Sequence, residues 1–208
     1  MTLLTGQYYS IESGVDVEIT RSRSRFIASL RFAQDRSAFD IKMKEVIARY
    51  PKASHYCWAY RFEGSHVLEH ASDDGEPAGT AGRPILGALK KYDLQNTMAV
   101  VTRYYGGVKL GVKGLISAYA DVTLNAIETS KIIVTEPQSK IVFTVDYDLY
   151  NLLLSRLEKY ALQQDAFQTV FSDVISGEIT IPNSIRNSLV SELDSISANR
   201  TLFDFTVD

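Results

Sequence analysis

The stretch from Met98 to Ile127 reads MAVVTRYYGGVKLGVKGLISAYADVTLNAI and decides the fold of the first part of this 208-residue chain. Its start, residues 98–102, is an apolar run typical of a buried strand. Four glycines and two lysines follow between Gly106 and Gly114. The positions after them recur at helical spacing: Leu115, Ala118, Tyr119, Val122, Ala126 and Ile127. The pattern predicts a strand, a glycine-rich loop and a helix.

This second glycine-rich loop, Arg103 to Gly114, combines cations, aromatic rings and flexible backbone. Such a combination suits a phosphate backbone with stacked bases. The structural alternative is a close-packed strand-to-helix crossover in which Tyr104 or Tyr105 enters the core. Only one of these two tyrosines can point inward, because neighbouring side chains on a strand face opposite sides.

The first glycine-rich loop, Ser72 to Pro84, reads SDDGEPAGTAGRP. Glycines let backbone N–H groups approach a ligand, and N–H groups ahead of a helix can hold an anion. Arg83 would add a bidentate contact, and the carboxylates would suit a hard cation, a ribose hydroxyl or a basic partner. The alternative is a tight surface turn in which Asp73 and Asp74 cap the backbone. The glycine spacing matches neither a phosphate-binding Walker loop nor a dinucleotide fingerprint.

Both loops together are predicted to form a ligand-binding surface, with no catalytic residue, metal ligand or cofactor assigned. The candidate residues are Asp73, Asp74, Gly75, Glu76, Gly79, Thr80, Gly82, Arg83, Arg103, Tyr104, Tyr105, Gly106, Gly107, Lys109, Gly111 and Lys113.

Cysteine and histidine usage gives weaker signals. The lone cysteine, Cys57, excludes an internal disulfide and fits a reducing compartment. His55 shares a strand face with Cys57, which is one pattern for a nucleophile pair, although a cysteine in an apolar strand is usually inert. The histidines show no zinc spacing. Without a secretory pattern or a long apolar run, the chain is expected in the cytoplasm, with no membrane partner.

Charge is unevenly distributed along the chain. Residues 1–134 hold 17 Lys and Arg against 14 Asp and Glu, a balance of +3. Residues 135–208 hold 5 against 11, a balance of −6. This asymmetry excludes a protein that is basic all over for nucleic-acid binding, but leaves room for a local basic site in the first part.

The remaining pattern predicts an α+β protein. In the first part it indicates strands over residues 15–20, 26–32, 56–62 and 66–70, and a helix over 38–50 with Ser37 as N-cap. Pro84 is predicted at the first position of the next helix. The second part reads as strand 140–147, helix 149–162, strands 167–172 and 178–181, helix 182–196 and strand 202–207. This β-α-β-β-α-β order fits a ferredoxin-like domain.

The two loops resemble the two signature segments of the IMPACT/YigZ family. Ala53 to Tyr60 resembles the family's preceding strand, and Ser24 to Ile27 matches its Ser-Arg-Phe-Ile element. The likeness covers residues 15–130, and the C-terminal order resembles the smaller domain of prokaryotic two-domain members. The resemblance implies an IMPACT-type domain over residues 1–134, similar to the second domain of a small-subunit ribosomal protein and the fourth domain of elongation factor G. Residues 138–208 would resemble that factor's fifth domain, which is ferredoxin-like.

The resemblance also implies a function. Eukaryotic relatives regulate translation through protein partners, and nucleic-acid or ribosome binding is the usual proposal for short prokaryotic members. We therefore expect a translation-linked regulatory protein that contacts RNA or a ribosome-associated partner through the two loops. A protein–protein adaptor that uses Tyr104 and Tyr105 is one alternative.

The other alternative is an enzyme acting on a small phosphorylated or nucleotide-like ligand. In that case Asp73, Asp74 and Glu76 would hold a magnesium ion, with Arg83 and Lys109 on phosphate.

Overall fold

The computed structural model describes residues 3, 6–64, 66–160, 162, 167–197 and 203–207. The chain is of mixed α/β class and divides into two compact units, Tyr8–Thr135 and one made mainly of Glu136–Asp208. Each unit has its own hydrophobic core. Among the helices of the described residues, none is long and apolar enough to cross a membrane.

The first unit is built on a five-stranded antiparallel sheet. The strands of this unit are β1 (Tyr8–Ile11), β2 (Val15–Arg21), β3 (Ser24–Phe32), β4 (His55–Phe62), β5 (Leu68–Ser72), β6 (Thr97–Tyr104) and β7 (Ile132–Thr135), of which β1 and β7 lie outside the five-stranded sheet. The order across the sheet is β2-β3-β6-β4-β5, so β6, the apolar strand of the opening sequence, lies at its centre. β1 and β7 pair in a separate two-stranded sheet, and the sequence did not predict β1.

Helices cover both faces of this sheet: α1 (Arg36–Arg49), α2 (Gly82–Lys91) and α3 (Gly111–Thr129). α2 and α3 bury their apolar sides against one face, and all six apolar positions predicted for α3 are buried. α1 packs Phe39 and Val46 against Tyr60, Phe62 and Met98 on the other face. Both glycine-rich loops lead into helices of the same face.

Two predicted helix starts are wrong. Asp35, not Ser37, is the N-cap of α1, because its carboxylate accepts a 2.7 Å hydrogen bond from the Ala38 N–H group. Pro84 is the third residue of α2, not the first. A proline is tolerated there because the first turn of a helix leaves its N–H groups without helical partners.

The second unit follows the predicted β-α-β-β-α-β order. Its elements are β8 (Gln138–Val145), α4 (Tyr147–Glu158), β9 (Phe167–Phe171), β10 (Ile175–Pro182), α5 (Asn183–Ser197) and β11 (Phe203–Val207). The antiparallel sheet has the order β11-β8-β10-β9, and alternate residues of β8 are buried. α4 ends before the predicted residue 162. Positions 161 and 202, within the predicted helix and last strand, lie outside the described residues.

Candidate functional site

The first glycine-rich loop is folded around the side chain of Asp73. Its Oδ1 accepts hydrogen bonds from the backbone N–H groups of Ala81 and Gly82 at 2.9 and 2.8 Å, and its Oδ2 accepts one from Gly79 at 2.7 Å. Two of these donors stand at the start of α2, where the helix supplies no partner for them. Asp73 therefore holds both the loop and the first turn of the helix.

Electrostatics agrees with this role. Burial alone would raise the pKa of the Asp73 carboxyl group, but the three N–H donors and Arg83 nearby lower it below its ordinary value. The ionised carboxylate is thus the favoured form in the folded loop.

The neighbouring Asp74 is bonded to the start of β4. Its Oδ2 accepts a 2.6 Å hydrogen bond from the Tyr56 N–H group. Its carbonyl oxygen lies 2.8 Å from Nδ1 of His55, so the imidazole carries a proton on Nδ1 and donates it to that oxygen. Asp74 therefore joins the first loop to β4 and orients the His55 ring.

The small residues of the first loop fix its path. Gly75 and Gly79 have φ of +82° and +76°, in the region that favours glycine. Gly82 packs against the backbone of Ser72, because a Cβ atom there would lie 2.9 Å from the Ser72 nitrogen. The Thr80 hydroxyl donates to a backbone carbonyl at 2.7 Å and is buried. Arg83 is exposed on the first turn of α2.

Glu76 is the one carboxylate of the first loop that meets the second loop. Its Oε1 accepts hydrogen bonds from the guanidinium of Arg103 and, at 2.8 Å, from the hydroxyl of Tyr119. The side chains of Glu76 and Arg103 are only 3 % and 6 % exposed. Arg103 also lies against the rings of Phe26 and Tyr105, with 5.3 Å to each ring centre. A buried ion pair thus connects the two loops.

Cys57 lies behind this ion pair. Its thiol donates to the Asp73 carbonyl oxygen at 3.0 Å and lies 3.3 Å from the Tyr119 hydroxyl. Burial is the main cause that raises the thiol pKa to about 12. Burial likewise raises the pKa of the Tyr119 hydroxyl. Both groups stay protonated near neutral pH, so the arrangement does not activate Cys57 as a nucleophile.

The start of the second loop is attached to its surroundings. The Tyr104 hydroxyl donates to the Pro51 carbonyl oxygen at 3.1 Å, and the Tyr105 N–H group donates to the Ser54 hydroxyl at 3.0 Å. Gly106 passes so close to the β2–β3 turn that a Cβ atom would lie 2.0 Å from the Arg23 carbonyl oxygen. Only glycine fits this position without a backbone shift.

The rest of the second loop faces solvent. Gly107, Lys109, Gly111 and Lys113 are exposed, and Gly111 is the first residue of α3. No carboxylate among the described residues forms an ion pair with either lysine. Large apolar side chains are exposed in the same segment: Tyr105, Val108, Val112 and Ile116.

A cleft of about 620 Å³ lies between the two loops. It is lined by Ser54, His55, Glu76, Pro77, Arg103, Tyr105, Lys109, Leu110, Gly111, Val112 and Leu115. His55 presents Nε2 3.9 Å from Glu76 Oε1. The floor of the cleft is therefore polar and buried, and its walls are largely apolar.

Of the predicted site residues, the structure brings Glu76, Arg103, Tyr105, Lys109 and Gly111 together in this cleft. The others are not among its lining residues: Asp73, Asp74, Gly75, Gly79, Thr80, Gly82, Arg83, Tyr104, Gly106, Gly107 and Lys113. Several of these instead give the loops their shape. Contact of any of these residues with a ligand remains a prediction.

Sequence reasoning missed Ser54, Pro77, Leu110, Val112 and Leu115 as lining residues, and it considered His55 as a partner for Cys57 or a zinc ligand but not as part of this surface. One signal for Ser54 and His55 was available, since both stand at the start of the strand segment that resembles the family. Asp73, Asp74 and Glu76 do not converge on one point. In the described part of the chain, no group of three or more His, Cys, Asp or Glu side chains is placed to hold a metal ion.

Comparison with known proteins identifies relatives of both units. The family model described as the Impact N-terminal domain matches residues 22–127. An "IMPACT family member" of Haemophilus influenzae is 36% identical over 162 residues, which cover 76% of this chain and 77% of that relative. A crystal structure described as that of a hypothetical protein aligns over 97% of both chains, with a TM-score of 0.71 and 25% identity.

"IMPACT family member YvyE" of Bacillus subtilis is 42% identical over 113 residues. That alignment covers 54% of this chain and 52% of the Bacillus protein, so the shared region spans about half of that relative.

Proposed function

The chain belongs to the IMPACT family, and from this premise we propose that it is a translation-linked regulatory protein that binds RNA at the cleft between its two glycine-rich loops. One observation carries the proposal: Arg103 is committed to a buried ion pair, whereas Lys109 on the cleft rim pairs with no described carboxylate. A free cation beside an exposed aromatic ring, Tyr105, suits a single-stranded RNA segment.

The structure sharpens which cations would contact phosphate. Arg103 is a poor candidate, because removing it from Glu76 would leave a carboxylate buried without its ionic partner. Lys109 and Lys113 are exposed at the start of α3, where the helix dipole also favours negative charge. We therefore assign the phosphate contacts to these two lysines.

We further propose that the two compact units are the two domains that the family implies. The order β11-β8-β10-β9 together with β-α-β-β-α-β connections supports a ferredoxin-like second domain. The five-stranded sheet with helices on both faces supports an IMPACT-type first domain, related to the ribosomal-protein and elongation-factor domains. A reducing, cytoplasmic location fits the single buried thiol of Cys57.

The test is binding of a short single-stranded RNA to the full chain across a salt series. We expect the affinity to fall as salt rises, because each phosphate contact releases counterions. Replacing two lysines that contact phosphate, in a Lys109→Ala/Lys113→Ala variant, should reduce the slope of log K against log salt by about 1.4. The matched control is Lys44→Ala/Lys91→Ala, which removes the same charge from exposed positions outside the cleft.

Equal losses in both double variants would mean that the RNA senses net charge only, and the assignment to the cleft rim would be wrong. Absence of binding by the intact chain at low salt would reject free RNA as the ligand. Co-sedimentation with ribosomes in the same variant series then tests the link to translation.

A protein partner is the second candidate, and the exposed Val108, Val112 and Ile116 favour it. Contiguous exposed apolar side chains are typical of interaction sites. A salt-tolerant, RNA-independent complex with one ribosome-associated protein, lost in a Val108→Ser/Ile116→Ser variant, would support this candidate over RNA.

A further inference from the structure

The two ends of the cleft differ in chemistry. At the rim, α3 begins at Gly111 with no side chain capping its first turn, and Lys109 lies two residues before it. The first N–H groups of a helix have no helical acceptor and carry partial positive charge. This end of the cleft therefore favours an anionic group of a ligand.

The floor of the cleft offers hydrogen-bond acceptors instead. The Glu76 side chain is buried, and its Oε1 accepts hydrogen bonds from Arg103 and Tyr119, whereas Oε2 receives no hydrogen bond from any described residue. His55 uses Nδ1 on the Asp74 carbonyl oxygen, so the neutral ring leaves a lone pair on Nε2, 3.9 Å from Glu76 Oε1. Two neighbouring acceptors thus lack a donor.

The net charge at the floor selects the kind of donor. The guanidinium of Arg103 already neutralises Glu76, and Lys109 stands at the rim, so a cationic ligand gains little there. A neutral amino group has two N–H donors and can reach both the carboxylate and the imidazole nitrogen. The side chains of Pro77, Tyr105 and Val112, which also line the cleft, give apolar surface for a planar ring.

We propose that the cleft binds one nucleotide whose base carries an exocyclic amino group, with the base toward Glu76 and His55 and the phosphate at Lys109 and the start of α3. The volume of about 620 Å³ lies in the range of pockets that hold ligands of this size. The inference rests on the proposed function, because the nucleotide would be one unpaired residue of the bound RNA.

The proposal predicts a preference among bases. Guanine, adenine and cytosine each carry an amino group, which the two acceptors can bind. Uracil presents one N–H group flanked by two carbonyl oxygens, and these oxygens would face the Glu76 carboxylate. GMP should therefore bind more tightly than UMP, by about tenfold, which corresponds to the loss of one hydrogen bond to a charged acceptor.

The experiment titrates the full chain with GMP and UMP to about 10 mM, so that a millimolar Kd is still measured. NMR chemical shifts report the affinity and the position of binding. The decisive variant is Val112→Glu, in the first turn of α3, where a carboxylate favours the helix but repels a phosphate. Val112 is 57% exposed, and the control Ile41→Glu makes the same change at a position of α1 that is 55% exposed and outside the cleft.

We expect GMP to shift resonances of His55 and Leu115, Val112→Glu to weaken GMP binding at least tenfold, and Ile41→Glu to leave it unchanged. No GMP binding at 10 mM, equal binding of UMP, or equal loss in both variants would overturn the inference. RNA binding that persists in Val112→Glu would leave RNA binding by the chain standing, but with no nucleotide in the cleft and with the phosphate contacts away from the start of α3. GMP binding without RNA binding would support a nucleotide site in the cleft and contradict the proposed function.

Discussion

The two glycine-rich loops are alike in their glycine content and charged residues but differ in where their polar groups point. In the first loop, Asp73 and Asp74 bind backbone groups of their own loop or of β4. In the second loop, Lys109 and Lys113 carry no ion pair with a described residue and face solvent. The polar side chains of the first loop therefore stabilise its conformation, and the second loop supplies the exposed surface.

This difference shows that unusual composition alone does not mark a ligand contact. Carboxylates beside glycines can serve a bound ligand or the loop's own N–H groups, since both uses need the same atoms close together. Glu76 and Arg103 belong to neither group, because they meet in the buried space between the loops. Substitutions in the two loops test whether the first loop is structural and at which residue the second loop loses its contacts with the rest of the unit.

The largest effect is expected for Arg103→Ala, which would leave Glu76 buried without its cation. Removing one member of a buried pair typically costs about 3–5 kcal/mol. Urea denaturation monitored by circular dichroism measures the loss. A double variant, Arg103→Met/Glu76→Gln, removes the charge on both sides and should recover part of it. If Arg103→Ala unfolds at the wild-type urea concentration, the ion pair is not a structural connection between the loops.

Next in size is Asp73→Ala, which removes the carboxylate that accepts three backbone N–H hydrogen bonds in the first loop. Loss of a cap and of hydrogen bonds to a charged group predicts about 2–3 kcal/mol of destabilisation. The matched control is Asp74→Ala. The Asp74 side chain accepts one backbone hydrogen bond, from the Tyr56 N–H group, so its loss should destabilise the protein by about 1 kcal/mol. Equal losses in the two variants would contradict the central role of Asp73.

Two adjacent glycines should separate the anchored and free parts of the second loop. Gly106→Ala places a Cβ atom 2.0 Å from a carbonyl oxygen of the β2–β3 turn and should cost about 2 kcal/mol. Gly107→Ala meets no neighbouring atom within 4 Å, and only its φ of +81° opposes it, at about 1 kcal/mol. Thermal unfolding compares the two variants. If Gly107→Ala destabilises the protein more than Gly106→Ala, the anchored part of the loop does not end at Gly106.

The smallest effect is the pH dependence that the first loop contributes. The folded-state pKa of Asp73 is lowered below its ordinary value, so the unfolded chain binds its proton more readily. The resulting stability is present above the ordinary aspartate pKa of about 3.9 and is lost as pH falls through the lower folded pKa. As the pH is lowered from 6 to 3, the urea midpoint should decrease less steeply for Asp73→Asn than for the wild-type chain. If the urea midpoints of the two chains decrease equally with falling pH, other carboxylates cause the loss of stability in acid.

Regular elements with long periodic patterns were predicted well. α3 buries every predicted apolar position, and the second unit follows the predicted order of six elements. The errors of the sequence-based prediction concern a short strand with a distant pairing partner and the start of a helix. β1 has four residues and pairs with β7 more than 100 residues away, which no local pattern reveals. The N-cap of α1 was placed two residues late because Asp35 and Ser37 are both good capping residues.

The site was predictable only as a region of the chain. The sequence places Glu76 and Arg103 in two loops, where charged residues are usually exposed, so their burial as a pair could not be anticipated. The lining residues His55 and Leu115 come from β4 and α3, and only the tertiary packing brings them beside the loops. The second-loop prediction included four residues that are in fact the first turn of α3, because glycines at 111 and 114 indicate a loop.

The burial of Cys57 makes this chain convenient for site-specific labelling. Its thiol is shielded from solvent and stays protonated near neutral pH, so maleimide reagents, which react with thiolates, should leave the native protein unmodified. A single cysteine introduced on the exposed loop, such as Val108→Cys, would then carry a fluorophore without removal of the natural one. Its emission would follow occupancy of the neighbouring cleft in real time, in the otherwise unaltered chain.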